Sequence, residues 1–589
     1  MERKDIDKLY KWNLEDLYSS IDEYNKDIEV LGKLVSEFIE YKGKILESDE
    51  TLLKVLLLQE KIDMITNRLY VYINMKLHED MRVGTFQELA GNLDIILATV
   101  NEKTSFFIPE LLDSDYSLVK EYISKNKDLK RFEFLLEMIF NEKEHILSKE
   151  IEEVLSRSGN VMSTPDNVFS NLNDADLVFD SIKDEDGKKK ELTKGNYHIF
   201  SISKNRNVRK RAFHTMYKKY KELNNTFAGL LNSNLQVSTF LTKTRKYSSP
   251  INLYLDSNKI DTSIYYDLIN TVNNNLDKMY KYIDLKREKL GLKNMHMYDM
   301  AVKLTDKESK EYSFLEAKEL VSKALSVLGE EYVKDLNQGF NNGWIDVYEN
   351  VGKRSGAYSW GCYNAHPYVL LNYQSKYQDV STLAHEMGHA MHRYYSNLNQ
   401  DYFYSDNAIF VAEIASTVNE MLLNFYMLNN TNDKEEKKNI INELLDDIKN
   451  TIYRQTMFAE FELDVHNRCF NGETLSAEKL NNIYYDLVKK YHGNIVVDED
   501  IKYEWSRIPH FYTPFYVYQY ATGLSIALLI ATKISEGDEE MLNKYLTFLK
   551  SGSNDYPTKL VEKMGINIKD AVNSALSTFD KLIEEYRNL

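Results

Sequence analysis

A mainly α-helical chain of several lobes, with a small β element just ahead of its reactive centre, is the fold class this sequence predicts. Three observations carry the prediction. Only 7 prolines and 22 glycines punctuate 589 residues, few helix breakers for this length. Apolar residues recur at helical spacing over most of the chain. No fixed-period repeat stands out, which disfavours a solenoid. A chain this long is expected to bury two or three cores. We place a helical N-terminal lobe over 1–200 and a catalytic domain over 201–589.

From Asn13, a candidate N-cap, to about Phe140 the sequence reads as successive amphipathic helices. Ile28, Leu31, Leu34, Val35 and Phe38 mark one apolar face. The run Ser163-Thr164-Pro165-Asp166-Asn167 breaks the series. Leu177-Val178-Phe179, the polar turn Asp184 to Gly187, and Tyr197 to Phe200 then suggest a hairpin within 177–200. A disordered charged loop is the alternative there. Helices resume near Asn207. Ala357 to Tyr373 is aromatic, branched and nearly uncharged, so strands are expected. An edge strand there suits an extended peptide bound through main-chain hydrogen bonds. Cys362 and His366, within it, read as packing residues. The run Asp433 to Lys438 is a solvated helix start. Thr513-Pro514 reads as an N-cap and first helical position for a helix reaching about Glu536, closed by Gly537.

The net charge of −17 argues against a nucleic-acid partner, because phosphate binding needs clustered Lys and Arg. Two cysteines, Cys362 and Cys469, make no disulfide framework and are expected to stay reduced. The N-terminus lacks an apolar signal core, and the longest apolar stretch, Leu524 to Ala531, is too short to span a bilayer. A cytoplasmic protein without membrane contact is expected.

The segment His385-Glu386-Met387-Gly388-His389 concentrates the chemistry. Histidines four apart lie on one helical face about one turn apart, a separation that lets two imidazoles share a zinc ion. Glu386 sits about 100° round the helix, near a metal-bound water without ligating the metal. Asp379 is the candidate N-cap, and Val380, Leu383, Ala384, Met387 and Ala390 form the apolar stripe. A catalytic zinc needs a third protein ligand. The Gly and third His of the three-histidine zinc proteases are missing, since His392 and Tyr395 occupy those positions. A glutamate on the following helix is the alternative. Glu413 and Glu420, seven apart, share one face of a helical segment with apolar positions at 411, 414, 415, 418, 421 and 422. Glu413 is the favoured ligand and Glu420 the runner-up. In the favoured arrangement Glu420 orients a ligand histidine.

With these residues in view the chain resembles the oligoendopeptidase F branch of the thimet oligopeptidase (M3) family of zinc metallopeptidases. The matching segments are Trp12 to Tyr18, Gly356 to Gly361, His366 to Tyr373, His385 to His389, Ala412 to Thr417, His510 to Tyr512, and Phe515 to Gly523. They span nearly the whole chain and are densest between about 350 and 525. The resemblance implies a two-lobed helical fold around a deep channel, one Zn²⁺ per chain, and hydrolysis of internal bonds of short peptides but not folded proteins. It places His510, Tyr512 and either Tyr516 or Tyr518 as donors to the oxyanion formed when a zinc-activated water attacks the peptide carbonyl. Glu386 is the general base. Two other readings compete. A zinc exopeptidase of carboxypeptidase or aminopeptidase type needs a fixed charge for a peptide terminus, with Arg354 or Arg507 as candidates. A catalytically dead peptide-binding protein conflicts with retention of both histidines and both glutamates of the centre.

Overall fold

The computed structural model describes residues 1–305 and 310–589. It divides into two compact units, each threaded from three chain segments. One comprises Met1–Glu144, Ser309–Tyr426 and Ile530–Gly565, and the other His145–Glu308, Met427–Leu529 and Ile566–Leu589. The chain thus crosses from unit to unit several times, and neither unit is bounded at residue 200.

The first unit opens with three long helices, α1 (Ile21–Ile39), α2 (Asp49–Glu79) and α3 (Gly84–Thr104). The expected face of α1 is the buried one, since Leu31, Val35 and Phe38 are sealed in the core. Ser20 and Ser48 accept the Glu23 and Thr51 amide N–H groups and so start α1 and α2. The aromatic stretch forms the expected sheet, with one strand the sequence did not announce. In chain order its strands are β1 (Ile345–Asp346), β2 (Tyr358–Trp360) and β3 (Tyr368–Leu370). Strand β3 is central, parallel to β1 and antiparallel to β2, so β2 is an edge strand. Helix α4 (Tyr377–Asn399) packs against β2 and β3. Its N-cap is Lys376, not Asp379. Asp379 stands in the first turn, where its carboxylate accepts the Gln374 and Lys376 N–H groups. Cys362 is buried, and His366 stacks on Trp344 at 5.2 Å while contacting Asp16, so both pack as expected.

In the second unit Ile182–Lys183 pairs with Lys189–Lys190 as a two-stranded hairpin. Tyr197 to Phe200 do not extend it. They lie in a helix, Lys194–Ser201, because Thr193 and Asn196 form a reciprocal capping box that starts one. Among the described residues no helix is long and apolar enough to cross a membrane.

Candidate active site

Two helices of the first unit carry the centre: α4, and α5 (Ile409–Asn430). Their approach depends on Gly388. A Cβ placed there would lie 2.5 Å from the Ser416 Cα, 2.6 Å from the Ala415 carbonyl oxygen and 2.8 Å from the Ser416 nitrogen. All three are backbone atoms, so nothing can rotate away. The Asn419 amide then donates to the Ala384 carbonyl at 3.1 Å and ties the helices together.

This contact sets Glu413 opposite the two histidines. His385 Nε2 and His389 Nε2 stand 3.2 Å apart, and Glu413 Oε2 lies 3.4 Å from each. Three ligands at about 2.0–2.1 Å from a tetrahedral zinc are separated by about 3.3–3.4 Å. The donor set therefore fits a zinc-sized ion in both chemistry and spacing. Among the described residues this is the one cluster of three or more His, Cys, Asp or Glu side chains suited to a metal. Glu420 approaches the other face of the ring, its Oε1 3.3 Å from His385 Nδ1. That is where a carboxylate fixes the orientation of a ligand imidazole.

The charges follow from this geometry. Contact with His389 holds Glu413 down at about 2, against the opposing effect of burial. Burial disfavours a charged His385, but the contact with Glu420 prevails and raises it to about 9. Glu386 is 7% exposed. Burial raises its pKa, partly offset by the histidines. It makes no hydrogen bond or ion pair to protein among the described residues.

The second unit holds the other predicted residues. His510 lies in a short 3₁₀ turn, Pro509–Tyr512. The following helix, α6, runs Tyr518–Ser535 and starts four residues later than Pro514. Between them Phe515 adopts a left-handed backbone with φ 55°. That delay changes which tyrosines face His510. Tyr520 OH is 3.4 Å from His510 Nε2, and the Tyr516 ring lies 6.4 Å from the imidazole and 5.4 Å from Tyr520. Tyr518 turns into the core against Tyr265, at 1% exposure. Tyr512 stacks on Phe169 at 4.2 Å. Tyr520, expected on the first turns of this helix, was not among the expected donors, although its spacing of four from Tyr516 places both on one helical face. Burial and then the nearby Arg454 guanidinium lower the His510 pKa, favouring the neutral ring.

Glu462 fixes the Phe515 turn. The Phe515 N–H donates to Glu462 Oε1 at 2.7 Å, and Glu462 Oε2 is 3.2 Å from Tyr265 OH. The Tyr265 hydroxyl, with one proton, donates towards both the Ala459 carbonyl at 2.8 Å and Glu462 Oε2. Glu462 lies deep in the core, at 1% exposure. Burial raises its pKa from 4.5 to about 8. The folded state therefore holds a proton that the unfolded chain releases above about pH 4.5. Its contribution is full below that pH and is lost as pH rises to about 8, at about 1.4 kcal/mol per pH unit. Glu462→Gln, whose amide keeps both hydrogen bonds, should match the parent near pH 5 and exceed its stability above pH 8. Denaturant melts at the two pH values check this.

Gly388→Ala should separate α4 from α5. We expect a loss of about 1–3 kcal/mol in stability from overpacking, together with weaker zinc binding, read by denaturation and metal titration.

A mainly helical fold carrying a His-Glu-His helix beside a glutamate helix defines the class as metallopeptidases. Comparison with known proteins agrees. Residues 199–575 match the model described as Peptidase family M3, and 110–179 match the one described as Oligopeptidase F. The chain is 39% identical to Oligopeptidase PepF of Bacillus subtilis over 100% of its length and 88% of the relative's. It is 35% identical to Group B oligopeptidase PepB of Streptococcus agalactiae over 100% and 98%. The crystal structure of oligoendopeptidase-F from Enterococcus faecium superposes with a TM-score of 0.74 at 31% identity, covering 96% of this chain and 98% of that one. The chain belongs to peptidase family M3, in its oligoendopeptidase F branch, and is a metalloendopeptidase.

Proposed function

We propose that the protein cleaves internal bonds of short oligopeptides, with one zinc ion held by His385, His389 and Glu413. The observation that carries this reading is the near-equilateral set of two imidazole nitrogens and one carboxylate oxygen, with spacings of 3.2–3.4 Å. Bound there, zinc supplies Lewis-acid polarisation and lowers the pKa of a water molecule. Glu386, buried and unpaired with protein, takes a proton from the attacking water and delivers it to the nitrogen of the leaving amine. Glu420 holds the His385 ring in place through Nδ1. His510 donates an N–H to the oxyanion, assisted by Tyr516 and Tyr520, whose rings share its cluster. Tyr512 shapes the loop by stacking on Phe169. Tyr518, facing the core, is not given a donor's role. No covalent acyl-enzyme is needed. The names of the relatives support oligopeptide substrates. The acidic charge and two unpaired, buried cysteines support a reducing, cytoplasmic setting.

The test is mass spectrometry of products from a defined peptide mixture and a native globular protein, with and without chelator. We expect internal cuts in short peptides, including end-blocked ones, that the chelator abolishes, and an intact globular protein. Release from free ends alone would instead favour the exopeptidase reading.

His510→Ala should lower kcat by about 10²–10³, the usual cost of one lost oxyanion donor. KM and zinc content should change little, because the interaction strengthens in the transition state. A lower melting temperature with unchanged kcat would return His510 to the aromatic core.

A further inference from the structure

Beside His510 the second unit carries more positive charge than it neutralises. Arg454 Nη2 and Arg507 Nη2 both donate to the same oxygen, Glu504 Oε1, at 2.7 and 2.9 Å. The other oxygen, Oε2, accepts Tyr484 OH at 2.7 Å. One carboxylate, with a single negative charge, thus serves two guanidinium groups. Glu504 is buried, and despite the cost of burial the two arginines hold it ionised, down at about 2.

The surplus is accessible from one side. Arg507 Nε is buried with no hydrogen-bond partner, so this arginine is the inner of the two. The Arg454 side chain is 36% exposed. Among the described residues its only hydrogen bond goes to Glu504, which leaves most of its five N–H donors unused. It lies over the Phe458 ring, 5.0 Å from the centroid, which holds the guanidinium plane. Arg454 also opens its helix, Arg454–Phe470, directly after a π-helical turn, Lys449–Tyr453. Such turns are frequent at functional sites. A half-buried guanidinium that shares its single carboxylate with a second arginine leaves charge that a further anion would complete. In a chain of net charge −17, one such site selects for an acidic group on the ligand.

We infer that Arg454, backed by Arg507, is a carboxylate-binding subsite that anchors an acidic group of the peptide substrate. This rests on the peptidase reading above. A planar guanidinium with free N–H groups suits a carboxylate, which it can engage through two parallel hydrogen bonds. The carboxylate comes from one of two sources, a free peptide C-terminus or an Asp or Glu side chain.

The test uses the full-length, zinc-loaded chain carrying Glu386→Gln, so that bound peptides stay intact, with binding measured by calorimetry. Two matched peptide pairs serve as probes: free acid against C-terminal amide, and one internal Asp against Asn. In one pair the acidic member should bind about tenfold more tightly, the low end for a charge-assisted hydrogen bond at a partly exposed group. That pair identifies the source. Adding Arg454→Met should erase the difference while leaving affinity for the neutral member within about threefold. Arg454→Lys, which keeps the charge and the contact with Glu504, should retain part of it and shows that the fold survives. Equal affinities within both pairs, or discrimination that persists in Arg454→Met, overturns the subsite. Absence of peptide binding by the parent and of chelator-sensitive cleavage by the wild type overturns the peptidase reading, and the subsite with it.

Discussion

Glu386→Gln is expected to lower kcat by at least about 10²–10⁴, the contribution of a positioned general base, while zinc stays bound at one per chain. Under the proposed mechanism the residue handles protons and does not touch the metal. Its surroundings are suited to that task. Glu386 lies one residue from His385 on α4, is 7% exposed and accepts no hydrogen bond from protein among the described residues. Burial raises its pKa, which strengthens it as a base for water. The Gln side chain has the same shape, so the fold and the three-donor cluster should be undisturbed. Single-turnover kinetics and metal analysis on the same preparation decide. A variant with near-normal kcat would remove Glu386 from the mechanism, and one that had lost its zinc would make it a ligand.

The second large effect concerns the metal. Glu413→Ala deletes one of the three converging donors, and zinc affinity should fall by several orders of magnitude, since two histidines alone make a poor structural or catalytic site. Glu420→Ala should cost about 10–100-fold, the usual effect of removing the partner that orients a ligand imidazole. The difference follows from which nitrogen each carboxylate meets. Glu413 Oε2 faces Nε2 of both histidines, where their lone pairs converge, whereas Glu420 Oε1 meets only His385 Nδ1 on the far side of the ring. Competition with a chromogenic chelator measures both affinities. A greater loss in Glu420→Ala would exchange the two assignments.

The sequence by itself determined the parts of this protein that depend on local periodicity. A helix repeats every 3.6 residues, so His385 and His389 had to share a face with Glu386 beside them, and Glu413 and Glu420 had to share another. The scarcity of Pro and Gly fixed a mainly helical chain, and the aromatic, uncharged run before α4 indicated strands. The order of motifs was enough for a family resemblance, which the comparisons bear out. Contacts between distant segments were decided only by the tertiary structure. Both glutamates lie on the correct helical face, but the close approach that Gly388 permits against Ser416 aims one at Nε2 and the other at Nδ1. A capping box at Thr193 turned an expected strand into a helix, a choice made by two hydrogen bonds rather than by hydrophobic pattern. Phe515, pinned in a left-handed turn by Glu462 from 53 residues earlier, delayed the start of α6. That shift brought Tyr516 and Tyr520 to His510 and sent Tyr518 into the core. The interleaving of the two units and the pairing of Arg454 with Glu504, 50 residues apart, leave no local trace, because chain closure over such distances is governed by packing rather than by the propensities of neighbouring residues.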